Sequence, residues 1–199
     1  MAEKEAKKSS SKRTVSKWKK KRWFKIIAPA EFDRKTLGET PAEKPDLLVG
    51  RTIKINLGDL TSERKQRHIT ITFMIESVQG DNAFTITKGH SVDNSYMKRI
   101  VKRRRSKIEI VQTVTTQDNA KIKIKTITVT TKKISKIQKT EIGHIMRELI
   151  EYAAAKKSFR QLEQEAVFGI LALKILKKSK KIAPIKRVEI IKTKAIEGK

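Results

Sequence analysis

Alternating apolar and polar residues recur along the middle of this 199-residue sequence and favour a β-rich core. Ile53, Ile55 and Leu57 alternate along TIKINL, and the apolar residues of HITITFMI follow the same period of two. Because successive side chains of a strand point to opposite faces, the pattern predicts half-buried antiparallel strands. A third, shorter strand is expected at AFTIT, after a turn at residues 80–82.

A β-hairpin is the strongest local prediction. IEIVQTV and KIKIKTITVTTKKI are separated by TQDNA, in which Asn119 can adopt the left-handed backbone of a tight turn. In the second arm Ile122 and Ile124 share one phase, whereas Ile127 and Val129 share the other. A bulge near Lys125, or burial of both faces of the strand, would explain the change.

Helical spacing appears in two places. SYMKRIVKRRRSKIEI predicts a short helix capped by Asp93, with Met97, Ile100 and Val101 on one face and cations elsewhere. After residue 139 apolar residues recur every three or four positions. Thr140 is the expected cap of a first helix, and a capping box at residues 158–161 starts a second. The expected fold class is therefore α+β.

Four regions are predicted along the chain. Residues 1–22 form a basic flexible extension, and residues 23–139 form a β-rich core that includes the short basic helix and a loop at LGETPAEKPD. Residues 140–178 form a helical pair. Residues 179–199 form a basic C-terminal segment with a strand at residues 188–191.

Positive charge is the second dominant property of the sequence. Forty-eight Lys and Arg oppose 21 Asp and Glu, which gives a formal net charge of +27, so a bound polyanion would relieve considerable self-repulsion. One basic run alone would indicate a solvated face. Four runs with few compensating acids predict salt-dependent binding of RNA or DNA; they lie at residues 12–25, 98–107, 121–139 and 174–187.

Two of these runs contain the candidate RNA-binding residues. Arg side chains can grip phosphates, and Trp18 could stack on an unpaired base. Trp23 and Phe24 could also stack or could anchor the extension to the core, and anchoring is favoured for Phe24. The candidates are Trp18, Lys19, Lys20, Lys21, Arg22, Lys98, Arg99, Lys102, Arg103, Arg104, Arg105 and Lys107.

The sequence contains no pattern typical of an enzyme site. Cysteine is absent, which excludes disulfides, Cys-ligated zinc and thiol catalysis. His68, His90 and His144 are scattered without metal-site spacing, and there is no phosphate-binding Gly-rich loop. No catalytic residue, metal, cofactor or small-molecule substrate is therefore predicted. No apolar run is long enough for a signal peptide or membrane span, which predicts a soluble, cytoplasmic protein.

Several strings resemble, in order, the S1e (S3a-e) family of small-subunit ribosomal proteins of archaea and eukaryotes. They are KRWFKIIAPAEFDRKTLGET, LLVGRTIKINLGDL, VQGDNAFT and MKRIVKRRRSKIEIVQTVTTQDNAKIKIKTITVTTKK, within residues 17–139. The most specific pattern consists of Trp23, Ala28, Pro29, Phe32, Leu48, Gly50, Arg51, Leu57, Asp59 and Leu60.

The resemblance implies an antiparallel β-barrel-like sheet with packed helices and basic terminal extensions. It also implies a structural protein on the platform of the small subunit near the mRNA exit, in contact with small-subunit rRNA, neighbouring platform proteins and mRNA. Three alternatives remain open. They are a free RNA or DNA chaperone of low specificity, an RNA-modifying enzyme, and peripheral attachment to anionic membranes, which fits least because the charge extends over strands.

Overall fold

The computed structural model describes residues 21–63 and 66–196, and this part of the chain contains eight strands and five helices. The strands are β1 (Arg22–Ile27), β2 (Thr36–Ala42), β3 (Thr52–Asn56), β4 (Ile69–Gln79), β5 (Asn82–Val92), β6 (Lys107–Thr115), β7 (Lys121–Thr130) and β8 (Ile185–Ile196). The helices are α1 (Leu57–Thr61), α2 (Asn94–Ile100), α3 (Lys136–Ala155), α4 (Phe159–Val167) and α5 (Ile170–Ser179).

The strands form one mixed sheet with α3, α4 and α5 packed against it, so the fold is α+β as predicted. Hydrogen bonds join the strands in the order β2-β1-β5-β8-β7-β6, and β4 pairs with both β5 and β3. All pairs are antiparallel except β1 with β5, which run parallel over three residue pairs. Among the described strands, β2, β3 and β6 keep an unpaired edge, so the sheet is open and is not closed into a barrel.

Two segments differ from the sequence-based expectation because of their surroundings. The stretch expected to be a loop forms β2, which contains Pro41. Proline lacks the N–H that a central strand needs, and β2 tolerates it as an edge strand paired only with β1. The strand expected at AFTIT is the longer β5, since it pairs with β4 along its whole length after the predicted turn at Gly80, whose φ is 59°.

The hairpin of β6 and β7 is confirmed, with Asn119 at a φ of 57°. The register of β7 with β8 shifts between Lys125 and Thr126, at the position where a bulge was expected, whereas its register with β6 is continuous. Before the shift, Ile122 packs in the apolar cluster between the sheet and α3. After the shift, Ile127 packs in a second apolar cluster on the opposite face of the strand. The change of phase therefore reflects both a bulge and burial of both faces.

The helices after residue 135 begin and break at specific caps. Ser135 forms a capping box with Gln138, so α3 starts one turn before the expected cap, Thr140. The box predicted at Ser158 is confirmed and starts α4. The second expected helix is divided at Gly169, whose φ of 76° cannot continue a right-handed helix, and three helices stand where two were expected.

Gly89 lies where β5 comes close to β8. A Cβ atom built on Gly89 would lie 2.3 Å from the carbonyl oxygen of Thr193, and the φ of Gly89 is 149°. Only glycine fits this distance and conformation without strain. The glycine therefore permits the contact that joins the β3-β4-β5 part of the sheet to the β8-β7-β6 part.

A buried polar cluster fastens α4 to the same junction. His90 Nδ1 lies 2.8 Å from Glu163 Oε1, and His90 Nε2 lies 3.1 Å from the carbonyl oxygen of Ile190. The Thr193 hydroxyl accepts a hydrogen bond from the His90 N–H and donates one to Glu163 Oε1. The cluster thus connects β5, β8 and α4 through side chains that are almost fully buried.

Candidate nucleic-acid interface

Helix α2 begins the basic segment and is held against the sheet. Asp93 accepts a hydrogen bond from the Ser95 N–H at 3.3 Å and so caps the helix as predicted. Met97 is buried, and Ile100 and Val101 pack partly buried against the same apolar cluster. The apolar face predicted for this segment therefore anchors it.

The chain turns sharply after α2 and is fixed by hydrogen bonds. Arg104 has a φ of 63°, and Arg105 Nη1 donates to the carbonyl oxygen of Ile100 at 3.3 Å. The Ser106 N–H donates to Thr130 Oγ1 at 3.0 Å, which ties the end of the turn to the end of β7. The turn consequently presents its side chains from a defined backbone.

The candidate cations of this segment face solvent, apart from Arg105, which is half-buried. Lys107 pairs with Glu109, and Lys125 also pairs with Glu109; these hydrogen bonds hold the pKa of Glu109 below its usual range. The charge of Lys107 is therefore partly compensated. Five exposed cations have no ion-pair partner within residues 21–63 and 66–196, namely Lys98, Arg99, Lys102, Arg103 and Arg104.

Tyr96 forms an aromatic and cationic stack beside these residues. Its ring stacks on His68 with centroids 3.8 Å apart. The guanidinium carbons of Arg99 and Arg187 lie 5.8 Å and 5.4 Å from the centroid of the Tyr96 ring. The Tyr96 hydroxyl donates to Glu189 Oε1 at 3.2 Å. Arg187 also forms an ion pair with Glu189 through Nε. Cation–π attraction and this ion pair together orient two guanidinium groups next to the basic turn.

The Tyr96 hydroxyl stays protonated over the physiological range. Burial and the nearby Glu189 carboxylate raise the pKa of Tyr96 to about 12. Because the phenol remains a neutral hydrogen-bond donor, its bond to Glu189 persists and the ring keeps its position beside the two guanidinium groups.

Sequence reasoning did not assign a binding role to Tyr96, His68 or Arg187. His68 was noted in the sequence only for lacking metal-site spacing, and Arg187 appeared only at the end of another basic run. These residues lie on α2, in the segment before β4 and on β8, so no local spacing connects them. Only the pairing of distant strands brings them together.

The described residues of the second predicted group lie far from the first group. Trp18, Lys19 and Lys20 fall outside the described residues, whereas Lys21 and Arg22 are exposed at the start of β1. Strand β1 runs beside the beginning of β5, and α2 follows the end of β5. Because a strand rises ~3.3 Å per residue, the eleven residues of β5 separate the groups by roughly 30 Å.

The two aromatic residues at the start of β1 have different roles. Phe24 is buried with 1% of its surface exposed and anchors the strand, whereas 57% of Trp23 is exposed. Successive side chains of β1 point to opposite faces, which explains the contrast. Anchoring is therefore confirmed for Phe24, and Trp23 is free of the core.

No group of three or more His, Asp or Glu residues that could hold a metal ion occurs in the described part of the chain. Within the same residues, no helix is long and apolar enough to cross a membrane.

Comparison with known proteins gives consistent matches over nearly the whole chain. A model of the Ribosomal S3Ae family matches residues 9–198. The chain is 36% identical over 191 residues to the small ribosomal subunit protein eS1 of Methanobrevibacter smithii, covering 96% of this chain and 99% of the relative. It is 40% identical over 184 residues to the protein of that name from Haloarcula marismortui, covering 92% and 86%.

Proposed function

The chain belongs to the Ribosomal S3Ae family, and on this basis we propose that it is a structural constituent of the small ribosomal subunit. A ribosomal structural component is not an enzyme, in agreement with the sequence prediction. The resemblance to the S1e (S3a-e) family stated from the sequence is confirmed. The proposal extends to a position on the platform near the mRNA exit, in the cytoplasm.

The observation that carries the RNA-binding part of the proposal is the segment from Lys98 to Lys107. It exposes six cations, includes no carboxylate and is anchored by Met97 and by the hydrogen bonds of Ser106. Such a rigid cationic turn suits the phosphates of rRNA. Its cations would neutralise the phosphates and release the counterions condensed on the RNA, and this release would drive binding. Phosphate contacts position a protein without reading bases, so the shape of the RNA would provide selectivity.

The proposed RNA contacts are the residues predicted from the sequence together with the Tyr96 stack. Arg99 and Arg187 hold their guanidinium planes near the Tyr96 ring and could grip phosphates with paired N–H groups. Lys21 and Arg22 would form a separate contact at the other end of β5, and Trp18, Lys19 and Lys20, which lie outside the described residues, are proposed as contacts from the sequence alone. Two distant contacts suit a protein that connects different parts of a folded RNA.

Neighbouring proteins of the platform are the second class of proposed partner, with mRNA near the exit as a further contact. Phe168, Ile170 and Leu173 expose 46%, 44% and 58% of their surface around the turn between α4 and α5. Apolar side chains gathered at one turn favour contact with another protein. This turn is the proposed site for a protein neighbour.

Sedimentation of cell extract in a sucrose gradient tests the proposal. The protein should co-migrate with the small subunit at low salt and remain there after a high-salt wash, because a structural constituent is buried among several contacts. Release to the top of the gradient at high salt would contradict the proposal and favour the alternative, a free RNA or DNA chaperone of low specificity that binds mainly through exchangeable electrostatic contacts.

A further inference from the structure

A second cationic surface lies on the face of the sheet opposite the buried His90 cluster. Strand registers align Asn56 with Thr70, Thr70 with Ser91, Ser91 with Lys192 and Lys192 with Lys125. Ser91 follows His90 directly, so the two side chains point to opposite faces of β5. A continuous row of polar side chains therefore crosses β3, β4, β5, β8 and β7 on the open face.

The row lines a groove with a volume of about 640 Å³. We call it the sheet groove and define it by Lys54, Asn56, Arg67, Thr70, Ser91 and Lys192. Since neighbouring strands lie ~4.8 Å apart, the distance from β3 to β8 is about 14 Å. The close approach at Gly89 brings Ser91 and Lys192 together and so completes the floor.

The positive charge of the sheet groove is largely uncompensated. Lys54, Arg67 and Lys192 have no ion-pair partner among the residues that the structure describes. Lys125, at the edge of the groove, pairs with Glu109. Asp93 is the one carboxylate that lines the groove within the described chain, and it caps α2. An anion would therefore meet three available cations.

The neutral side chains of the groove add hydrogen-bond donors. The Thr70 hydroxyl donates to Asn56 Oδ1 at 3.1 Å, which orients the Asn56 amide and leaves both hydrogens of its Nδ2 for a ligand. Ser91 contributes a second hydroxyl at the centre of the row. Amide and hydroxyl groups at this spacing can contact phosphate and ribose oxygens.

The lining distinguishes a nucleic-acid backbone from a protein segment. Val92 and Ile191 are the apolar residues of the lining, and it contains no aromatic side chain among the described residues. Protein interfaces are typically built on apolar or aromatic anchors at their centre, and base stacking needs aromatic faces. The groove offers neither and is suited to phosphate and sugar groups.

We infer that the sheet groove binds the sugar–phosphate backbone of an RNA strand, supplied by rRNA or by mRNA. The inference rests on the proposed ribosomal function and adds a backbone-binding surface distinct from the basic turn after α2. Lys54, Arg67 and Lys192 neutralise phosphates, while Asn56 and Ser91 donate hydrogen bonds to phosphate or ribose oxygens. Base identity is not read in this groove.

Salt-dependent binding of the full chain to an oligouridylate tests the groove directly. The double variant Lys54→Ala, Lys192→Ala should lower the slope of log affinity against log salt by about 1.4, since each single-strand phosphate contact contributes about 0.7. The matched control Lys44→Ala, Lys156→Ala removes two exposed lysines that lie outside the groove and the four basic runs. If the groove variant lowers the slope no more than the control does, the inference is overturned. Far-UV circular dichroism checks that both variants fold.

Photo-cross-linking inside the assembled subunit separates this inference from the proposed function. A photoreactive amino acid replaces Lys54 in the full chain, and small subunits are isolated before irradiation. A cross-link to RNA supports the groove, and sequencing the RNA distinguishes rRNA from mRNA. If the protein co-sediments but cross-links only to protein, or forms no cross-link, the inference that the groove binds RNA is overturned and the proposed function is left intact. Failure to co-sediment contradicts the proposed function. The salt slopes then decide whether the sheet groove binds RNA.

Discussion

The imidazole of His90 and the carboxylate of Glu163 form a buried pair, with Nδ1 2.8 Å from Oε1. Nε2 of the same ring faces the carbonyl oxygen of Ile190. Both acceptors can be satisfied only when both ring nitrogens carry protons. Burial alone lowers the pKa of His90, but the Glu163 charge and these hydrogen bonds outweigh it, so the pKa is raised.

The first prediction follows from the sign of this shift. The folded chain binds the His90 proton more tightly than the unfolded chain does. The pair therefore stabilises the folded state in full at pH values below the pKa of His90 in the unfolded chain, which is about 6.5. The stabilisation is lost as the pH rises through the raised pKa of the folded state. Urea unfolding at a series of pH values should therefore show a decline in the free energy of unfolding that Glu163→Gln abolishes.

The same variant should lower the free energy of unfolding by about 3 kcal/mol at the acidic end of the series, because it leaves His90 buried without its counter-charge. His144→Gln is the control, since His144 is exposed on α3. An unaltered pH dependence in Glu163→Gln would contradict the role given to the pair.

The second prediction concerns Gly89. Gly89→Ala should lower the free energy of unfolding by at least about 2 kcal/mol, since the new methyl group would collide with the Thr193 carbonyl and the backbone is strained for alanine. Gly38→Ala is the matched control, because Gly38 has nearly the same φ, 148°, but nothing lies within 4 Å of its Cβ position. Equal losses in the two variants would show that conformation alone, without the close approach, explains the effect.

The third prediction concerns the basic turn. Replacing Arg103, Arg104 and Arg105 together with Ala should weaken incorporation into the small subunit and lower the salt slope of RNA binding, since each lost phosphate contact reduces counterion release. The measurements are the gradient described above and filter binding to small-subunit rRNA. Unchanged incorporation and slope would remove these arginines from the interface.

The fourth prediction separates the two roles of Tyr96. Tyr96→Ala should weaken binding to small-subunit rRNA about threefold, because the cation–π contact of about 0.5–1 kcal/mol no longer orients Arg99, whereas Arg187 keeps its ion pair with Glu189. Tyr96→Phe keeps the ring and loses only the hydrogen bond to Glu189, so its affinity should stay close to that of the unaltered protein. Equal losses would assign the effect to the hydroxyl.

The fifth prediction uses the two tyrosines of the chain as spectroscopic probes. The hydrogen bond and charge of Lys156 lower the pKa of Tyr152, whereas the pKa of Tyr96 is raised to about 12. Absorbance at alkaline pH, recorded by rapid mixing, should therefore rise in two steps. Tyr152→Phe should remove the earlier step and Tyr96→Phe the later one; a single step in the unaltered protein would contradict the assignment.

Features with a local cause could be predicted from the sequence. The hairpin around Asn119, the Asp93 cap and the capping box at Ser158 each depend on residues a few positions apart. The strand character of the segment with Pro41 could not be predicted, because proline is tolerated only at a sheet edge and strand order is not visible in sequence.

The candidate interface also has one part that could be predicted from the sequence and one part that could not. The cationic turn was evident from composition alone. The stack of Tyr96 with Arg187 and the sheet groove depend on β8 lying next to β5 and β7, a pairing between residues distant in the chain. Charge density is a property of composition, whereas the shape in which it is presented is a property of topology.

The position of β8 bears on how the protein forms during its own synthesis. It follows the other strands in the sequence, yet it lies between β5 and β7 in the sheet. A growing polypeptide can therefore form its hairpins early but cannot unite them until the residues of β8 have left the exit tunnel. Such long-range pairing is slow, so the nascent chain would carry its positive charge for some time without a finished sheet. The two halves meet only after β8 has been synthesised.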